Sequence, residues 1–272
     1  MPKQFKKAAC FLTVLGLLTS FVFGAHSSYA MPKQKDAKQA TKVLSNSELK
    51  TLDLEGVENV DNLDDLLLDI DWGFDYETCE ELEQDGILYV INDNDEVVIT
   101  DCSDSIDKST ISIPDKIDGH PVTMIYYYVF SGLENTKTIN IPDSVKVIGA
   151  EAFAWSNNLQ TINIPTSVTT IDAAAFAGNN KLQSITIPDS VTELGVGAFI
   201  LCENLTNVTL PNTISSIPYG TFAACVSLKK INISSSVKTI EDEAFSMTGF
   251  TEFTVPDTIT SIGCLLYTSD AA

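Results

Sequence analysis

Arginine is absent from this chain. All sixteen basic residues are lysine, set against 37 acidic ones, for a formal net charge of −21. Bidentate recognition of phosphate or guanine depends on the planar guanidinium fork, and the acidic balance repels polyanions, so a nucleic-acid partner is excluded. Histidine is scarce as well: once the first thirty residues are set aside, His120 stands alone. Ser-His-Asp and Cys-His catalysis and multi-histidine metal sites are therefore unavailable within the chain. Neither G-x-G-x-x-G nor a P-loop occurs, and no pair of carboxylates stands at an apolar position where burial would raise one pKa. These absences predict a non-catalytic protein without cofactor or metal. His120, in a turn before Pro121, reads as a solvated loop residue.

Long apolar runs are limited to one. Ala8 to Gly24 follows Lys3, Lys6 and Lys7, and the small residues Ser28 and Ala30 precede Met31, which is the pattern of a secretory signal peptide over residues 1–30. The run is too short for a lasting membrane span, so none is expected in the mature chain, and Cys10 lies too early to accept a lipid. The stretch after it, MPKQKDAKQATKVLSNS, has no aromatic residue and reads as a flexible leader.

From Glu48 to Asp85 fifteen acidic residues face the single Lys50. Within this block Leu63, Leu66, Leu67 and Ile70 recur at helical spacing behind Asn59 or Asp61 as N-cap, predicting a short amphipathic helix. Its expected role is to cap the repeats that follow. A calcium loop through Asp69, Asp71, Asp75 and Glu80 is the sharper alternative, with Gly73 one place early for that motif. Residues 31–85 are thus read as leader and acidic segment, and residues 86–113 as a hairpin, with strands Ile87 to Ile91 and Val97 to Thr100 around the turn Asn92 to Asp95.

What dominates the rest is a repeat. Phe130, Phe153, Phe176, Phe199, Phe222 and Phe245 stand one period of 23 residues apart, and Pro142, Pro165, Pro188 and Pro211 keep the same step. The unit is P-x-S/T-V/I-x-x-I/L-x-x-x-A/T-F-x5-L-x-x-I/V-x-I/L. Such a period is the mark of a solenoid, in which no coil buries its apolar face without a neighbour. In the run Leu159, Ile162, Ile164 the alternation is that of a strand, with Ile162 and Ile164 pointing inward, and Pro165 ends it because it has no N–H to donate. Val168, Ile171, Ala175 and Phe176 line the remainder of the interior, and AGNNK reads as a helical turn or loop. Ser144, Ser167, Ser190, Thr213, Ser236 and Thr258 form one column, read either as a buried hydroxyl ladder from coil to coil or as simple turn preference.

The first coil, from Pro114 to Phe130, is longer by the turn Asp118-Gly119-His120-Pro121; Ser234 replaces proline, and one residue is missing between Phe245 and Pro256.

In stretches such as IPDSVTELGVGAFILCENLTNVTLP the pattern resembles the leucine-rich repeats of the BspA-like surface-protein family, over roughly residues 86 to 263. The resemblance implies an α/β, strand-dominated, right-handed solenoid with a parallel sheet on its concave face and a hairpin at its start. It also implies display on or secretion from cells, for adhesion to a host or neighbouring-cell protein, a matrix protein or a glycan.

Two columns of outward positions on that concave sheet are the candidate binding surface. One runs Thr138, Thr161, Ser184, Asn207, Lys230; the other runs Asn140, Asn163, Thr186, Thr209, Asn232. An edge patch of Trp155, Leu201 and Met247 is the second candidate, with local packing as the plain explanation. A competing reading makes the chain the repeat portion of a larger secreted multidomain protein or enzyme.

Two expectations concern cysteine. Cys79 and Cys102 lie outside the regular coils, where an exported protein could bridge them. Cys202 and Cys225 occupy one place in successive coils, and parallel side chains at strand spacing suit two buried thiols better than a bridge. The last nine residues, CLLYTSDAA, break the period after Gly263 and resemble a translated sequencing-library adapter, so residues 114–263 are expected to be a truncated set of repeats.

Overall fold

The computed structural model describes residues 80–264. The acidic helix and the leader fall outside them, as do Cys79 and three of the four calcium-loop positions. Within the described residues there is no α-helix, and every coil is built from short strands and turns.

The chain enters through β1 (Leu82–Gln84), β2 (Ile87–Ile91) and β3 (Val97–Cys102), an antiparallel meander. The expected hairpin is present, and β1 adds a strand through a two-residue turn. Asp85 and Gly86 both take positive φ there, 53° and 84°, as a type I′ turn requires. A second Asp-Gly turn, Asp118-Gly119, joins β5 (Lys116–Ile117) to β6 (His120–Ile125).

The four coils from Thr138 to Ile217 then carry two strands each, where the sequence pattern had suggested one, and the last two carry one each. The first set comprises β4 (Thr110–Ser112), β7 (Thr138–Asn140) and β9 (Thr161–Ile162), followed by β11 (Ser184–Thr186) and β13 (Asn207–Thr209). These pair in parallel as β4-β7-β9 and β11-β13. The second set comprises β8 (Val147–Ile148), β10 (Thr170–Ile171) and β12 (Glu193–Leu194), then β14 (Ser216–Ile217), β15 (Thr239–Ile240) and β16 (Ser261–Ile262). The hairpin continues into this second set, giving the order β1-β2-β3-β6-β8-β10-β12, with β14-β15-β16 apart.

The break between β12 and β14 has a local cause. Gly149, Asp172, Glu241 and Gly263 each donate a backbone N–H to the coil before. Pro218 holds the equivalent place and has no N–H, so β12 and β14 do not pair. On the first set, the side-chain amide of Asn163 takes the place of its backbone. Its Oδ1 accepts from Ile141 N and its Nδ2 donates to Ile141 O, both at 2.9 Å, and β9 stops at Ile162.

A third ladder runs along the phenylalanines. Glu151, Phe153 and Trp155 donate their N–H groups to Ala173, Ala175 and Ala177 of the next coil, at 3.0, 2.9 and 2.7 Å. The chain between the two strands achieves this by entering the left-handed region twice per coil. Two residues before each Phe stand Tyr128, Glu151, Ala174, Gly197, Gly220 and Glu243; two residues after stand Gly132, Trp155, Gly178, Leu201, Ala224 and Met247. All twelve have φ between 53° and 69°. A non-glycine residue there costs about 1–2 kcal/mol, which the cross-coil bonds and the buried ring offset.

The rings themselves form one stack. Successive centroids from Phe130 to Phe245 are 5.2 to 5.8 Å apart with interplanar angles of 2° to 10°. Phe250 and Phe253 close its end at tilts of 49° and 48°. Leu159, Leu182, Leu205 and Leu228 are fully buried beside it.

The hydroxyl column does not run from hydroxyl to hydroxyl across the coils. Ser167 and Thr213 donate to the backbone carbonyls of Val145 and Val191, at 2.6 and 2.5 Å, whereas the buried oxygens of Ser144, Ser190 and Thr258 have no partner. A hydroxyl has one proton, and a carbonyl within reach takes it.

Candidate functional site

The parallel register places the sequence-predicted surface residues in columns. Thr138 lies beside Thr161, Ser184 beside Asn207, Thr186 beside Thr209, and Thr209 beside Asn232. Nine of the ten are exposed and Thr138 is half-buried, because the intervening Ile139, Ile162 and Ile185 take the inward positions. The columns begin one coil earlier than the sequence reading had them, at Thr110 and Ser112 of β4. Lys230 is the one charged member among these positions.

The ten are not equivalent. Asn163 is tied to the backbone of Ile141, and the Asn140 amide reaches Ser112 Oγ at 3.1 Å. Asn163 and Asn140 thus have part of their hydrogen-bonding capacity committed within the chain.

The edge positions behave differently from one another. Trp155 is half-buried and its ring lies on Gly178, Leu201 is half-buried, and Met247 is 38 % exposed. Val226, which the sequence reading passed over, is the most exposed large apolar side chain here at 50 %.

One polar row went unrecognised in the sequence. Three residues after Phe153, Phe176, Phe199 and Phe222 stand Ser156, Asn179, Cys202 and Cys225, and each donates to the buried Phe carbonyl of the preceding coil, at 3.1, 3.0, 3.2 and 3.2 Å. The signal was a polar or thiol side chain at a fixed offset from Phe. Cys202 and Cys225 are free and fully buried as expected, and burial pushes the Cys202 thiol up to about 12. Cys102 is buried and its Sγ donates to Val129 O at 2.8 Å, while Cys79, its suggested partner, lies outside the described residues.

Carboxylates show a second departure. Glu151 falls at an unspecified position of the repeat unit, yet it is 0 % exposed and burial raises its pKa from 4.5 to about 8. The Lys146 bond at 2.7 Å holds Glu96 below its ordinary value. Asp107 is also held low, although burial, the largest influence on it, acts upward; bonds from Thr136, Asn135 and Glu134 outweigh it and anchor that loop. His120 Nδ1 meets Asp95 O at 3.0 Å. Among the described residues no group of three or more His, Cys, Asp or Glu could hold a metal ion, and no helix is long and apolar enough to cross a membrane.

A family profile described as BspA type leucine rich repeat region matches in six copies, over residues 102–202 and 146–270, together more than half of the chain. No curated protein matches. Among solved structures, a leucine-rich repeat protein from Bacteroides ovatus is similar at 26% identity and a TM-score of 0.43, with 68% of this chain and 59% of that chain covered. The T. pallidum leucine rich repeat protein is similar at 20% identity and a TM-score of 0.47, covering 70% and 91%. The pneumococcal vaccine antigen PcpA is similar at 22% identity and a TM-score of 0.45, covering 70% and 44%. The chain thus spans about three fifths of the length of the Bacteroides ovatus protein.

Proposed function

This chain belongs to the BspA-type leucine-rich repeat family, and from that premise we propose that it is a non-catalytic binding module, exported through residues 1–30 and acting at the cell surface or outside the cell. Its partner is a surface protein, a matrix protein or a glycan, met through the outward columns of the first strand set. The observation that carries this reading is the nature of those columns. In a chain with a net charge of −21, twelve outward positions from Thr110 to Asn232 hold hydroxyls and amides and a single charge. Parallel pairing repeats them at the strand spacing of about 4.8 Å. A periodic array with a single charge supports many modest hydrogen bonds to an extended partner and gives little long-range electrostatic steering.

Surface display tests it. Thr186→Ala with Thr209→Ala is set against Trp155→Ala with Leu201→Ala, and attachment to host cells and immobilised matrix is measured. Loss with the first pair alone supports the columns, loss with the second alone moves the site to the coil edge, and unchanged attachment by both removes the reading.

A further inference from the structure

Three carboxyl groups that play no part in the binding reading lie on the segment joining the second strand of a coil to its ladder Phe. Glu151 and Glu243 stand two residues before Phe153 and Phe245, and Asp172 stands four before Phe176. Glu151 is wholly enclosed. The Tyr128 hydroxyl of the preceding coil donates to its Oε1 at 3.1 Å, and its Oε2 is sealed from solvent without a hydrogen-bond partner. Glu243 is 3 % exposed and accepts from Tyr219, again one coil earlier. Asp172 is half-buried, with its Oδ1 accepting from Ala173 N at 2.7 Å.

Among the described residues, the titratable groups around these three include no cation. Against Glu151 stand the Tyr128 phenol on the preceding coil and, beside Ala173 whose carbonyl receives the Glu151 amide, the Asp172 carboxyl on the following one. Against Asp172 stands Glu193, and against Glu243 stand Tyr219 and Asp242. A carboxylate in a dry site without a positive partner is expensive to form, and the group keeps its proton instead.

We propose that this edge of the solenoid is a protonation seam: the coils close over Glu151 as a neutral carboxyl and part locally there when alkaline surroundings remove its proton. Burial raises Glu151 to about 8, with the Tyr128 bond opposing, and burial raises Asp172 and Glu243 in the same direction. The folded state therefore holds a proton that the unfolded chain has released above a pH of about 4.5. The stability contributed is complete below that pH, declines as the pH climbs, and is lost through a pH of about 8. Ionisation would add like charge to an edge already lined by Asp172 and Glu193, and the cross-coil bond from Glu151 N to Ala173 O is the first to be strained.

The test compares the chain with Glu151→Gln, which keeps a neutral side chain able to accept from Tyr128. Denaturant unfolding is followed from about pH 5 to pH 8. The unfolding constant of the parent should rise relative to the variant by about tenfold per pH unit across that window. Parallel pH profiles for the two would overturn the proposal. Should Glu151→Gln not fold, a carbon-detected NMR titration of the Glu151 carboxyl in the parent decides the matter: a midpoint near 8 supports the seam, and one near 4.5 overturns it.

Discussion

The ring of Trp155 lies directly on the backbone of Gly178, one coil further along, where a Cβ would overlap the ring carbons. Gly178 also has a φ of 69°, so two independent demands select glycine there. Gly178→Ala should destabilise the chain by about 1–3 kcal/mol. In a Trp155→Ala background the overlap is gone, and Gly178→Ala should then cost only the left-handed penalty of about 1–2 kcal/mol. A double-mutant cycle measured by urea unfolding checks both numbers, and full additivity would contradict the contact.

Phe176 stacks on Phe153 at 5.6 Å and on Phe199 at 5.2 Å, so one truncation weakens two coil interfaces. Phe176→Ala should cost about 3–5 kcal/mol, more than the same change at Phe245, whose far face meets only the tilted rings of Phe250 and Phe253. Thermal unfolding of both variants orders them.

Binding and stability separate on the outward columns. Asn163→Ala removes two bonds to Ile141 and should cost about 1–3 kcal/mol. Thr186→Ala and Thr209→Ala, at exposed positions, should stay within about 0.5 kcal/mol. Loss of attachment by the threonine variants then reports on contact with the partner, provided their melting curves overlay that of the parent.

Asn179 donates to Phe153 O at 3.0 Å and to Phe176 O at 2.9 Å, so Asn179→Ala strips a buried carbonyl of its side-chain donor in each of two coils. A loss of about 1–3 kcal/mol is expected, while Asn179→Ser should retain part of it, as Ser156 does at the same place one coil earlier.

Cys202 and Cys225 should resist maleimide in the native chain near neutral pH. Both are fully buried, their pKa values are raised by burial, and the thiolate is the reactive form. Mass spectrometry should find both modified once guanidinium is added, and modification at native rates equal to those of a free peptide would contradict the packing.

Much of this architecture was legible in the one-dimensional pattern. The spacing of Phe130 to Phe245 and of the prolines required stacked coils, because an apolar residue that returns every period has only its copies to pack on. The alternation Leu159, Ile162, Ile164 required Thr161 and Asn163 to face outward, and the Asn-Asp-Asn-Asp turn located the hairpin. The Asp85-Gly86 turn was equally readable and went unread. Other features depended on where neighbouring coils put their backbone atoms. Side-chain pattern reveals apolar burial, whereas cross-coil hydrogen bonds join residues 22 to 26 apart whose partner is a carbonyl common to every amino acid. Hence Ser167 met a carbonyl instead of a hydroxyl, Cys202 became a donor, and Pro218 silently divided a sheet. Glu151 is the sharpest case: nothing in its neighbours Ala150 and Ala152 distinguishes an enclosed carboxyl from a solvated one. The stack of coils alone determines that its Oε1 meets Tyr128 and that both oxygens are closed from solvent.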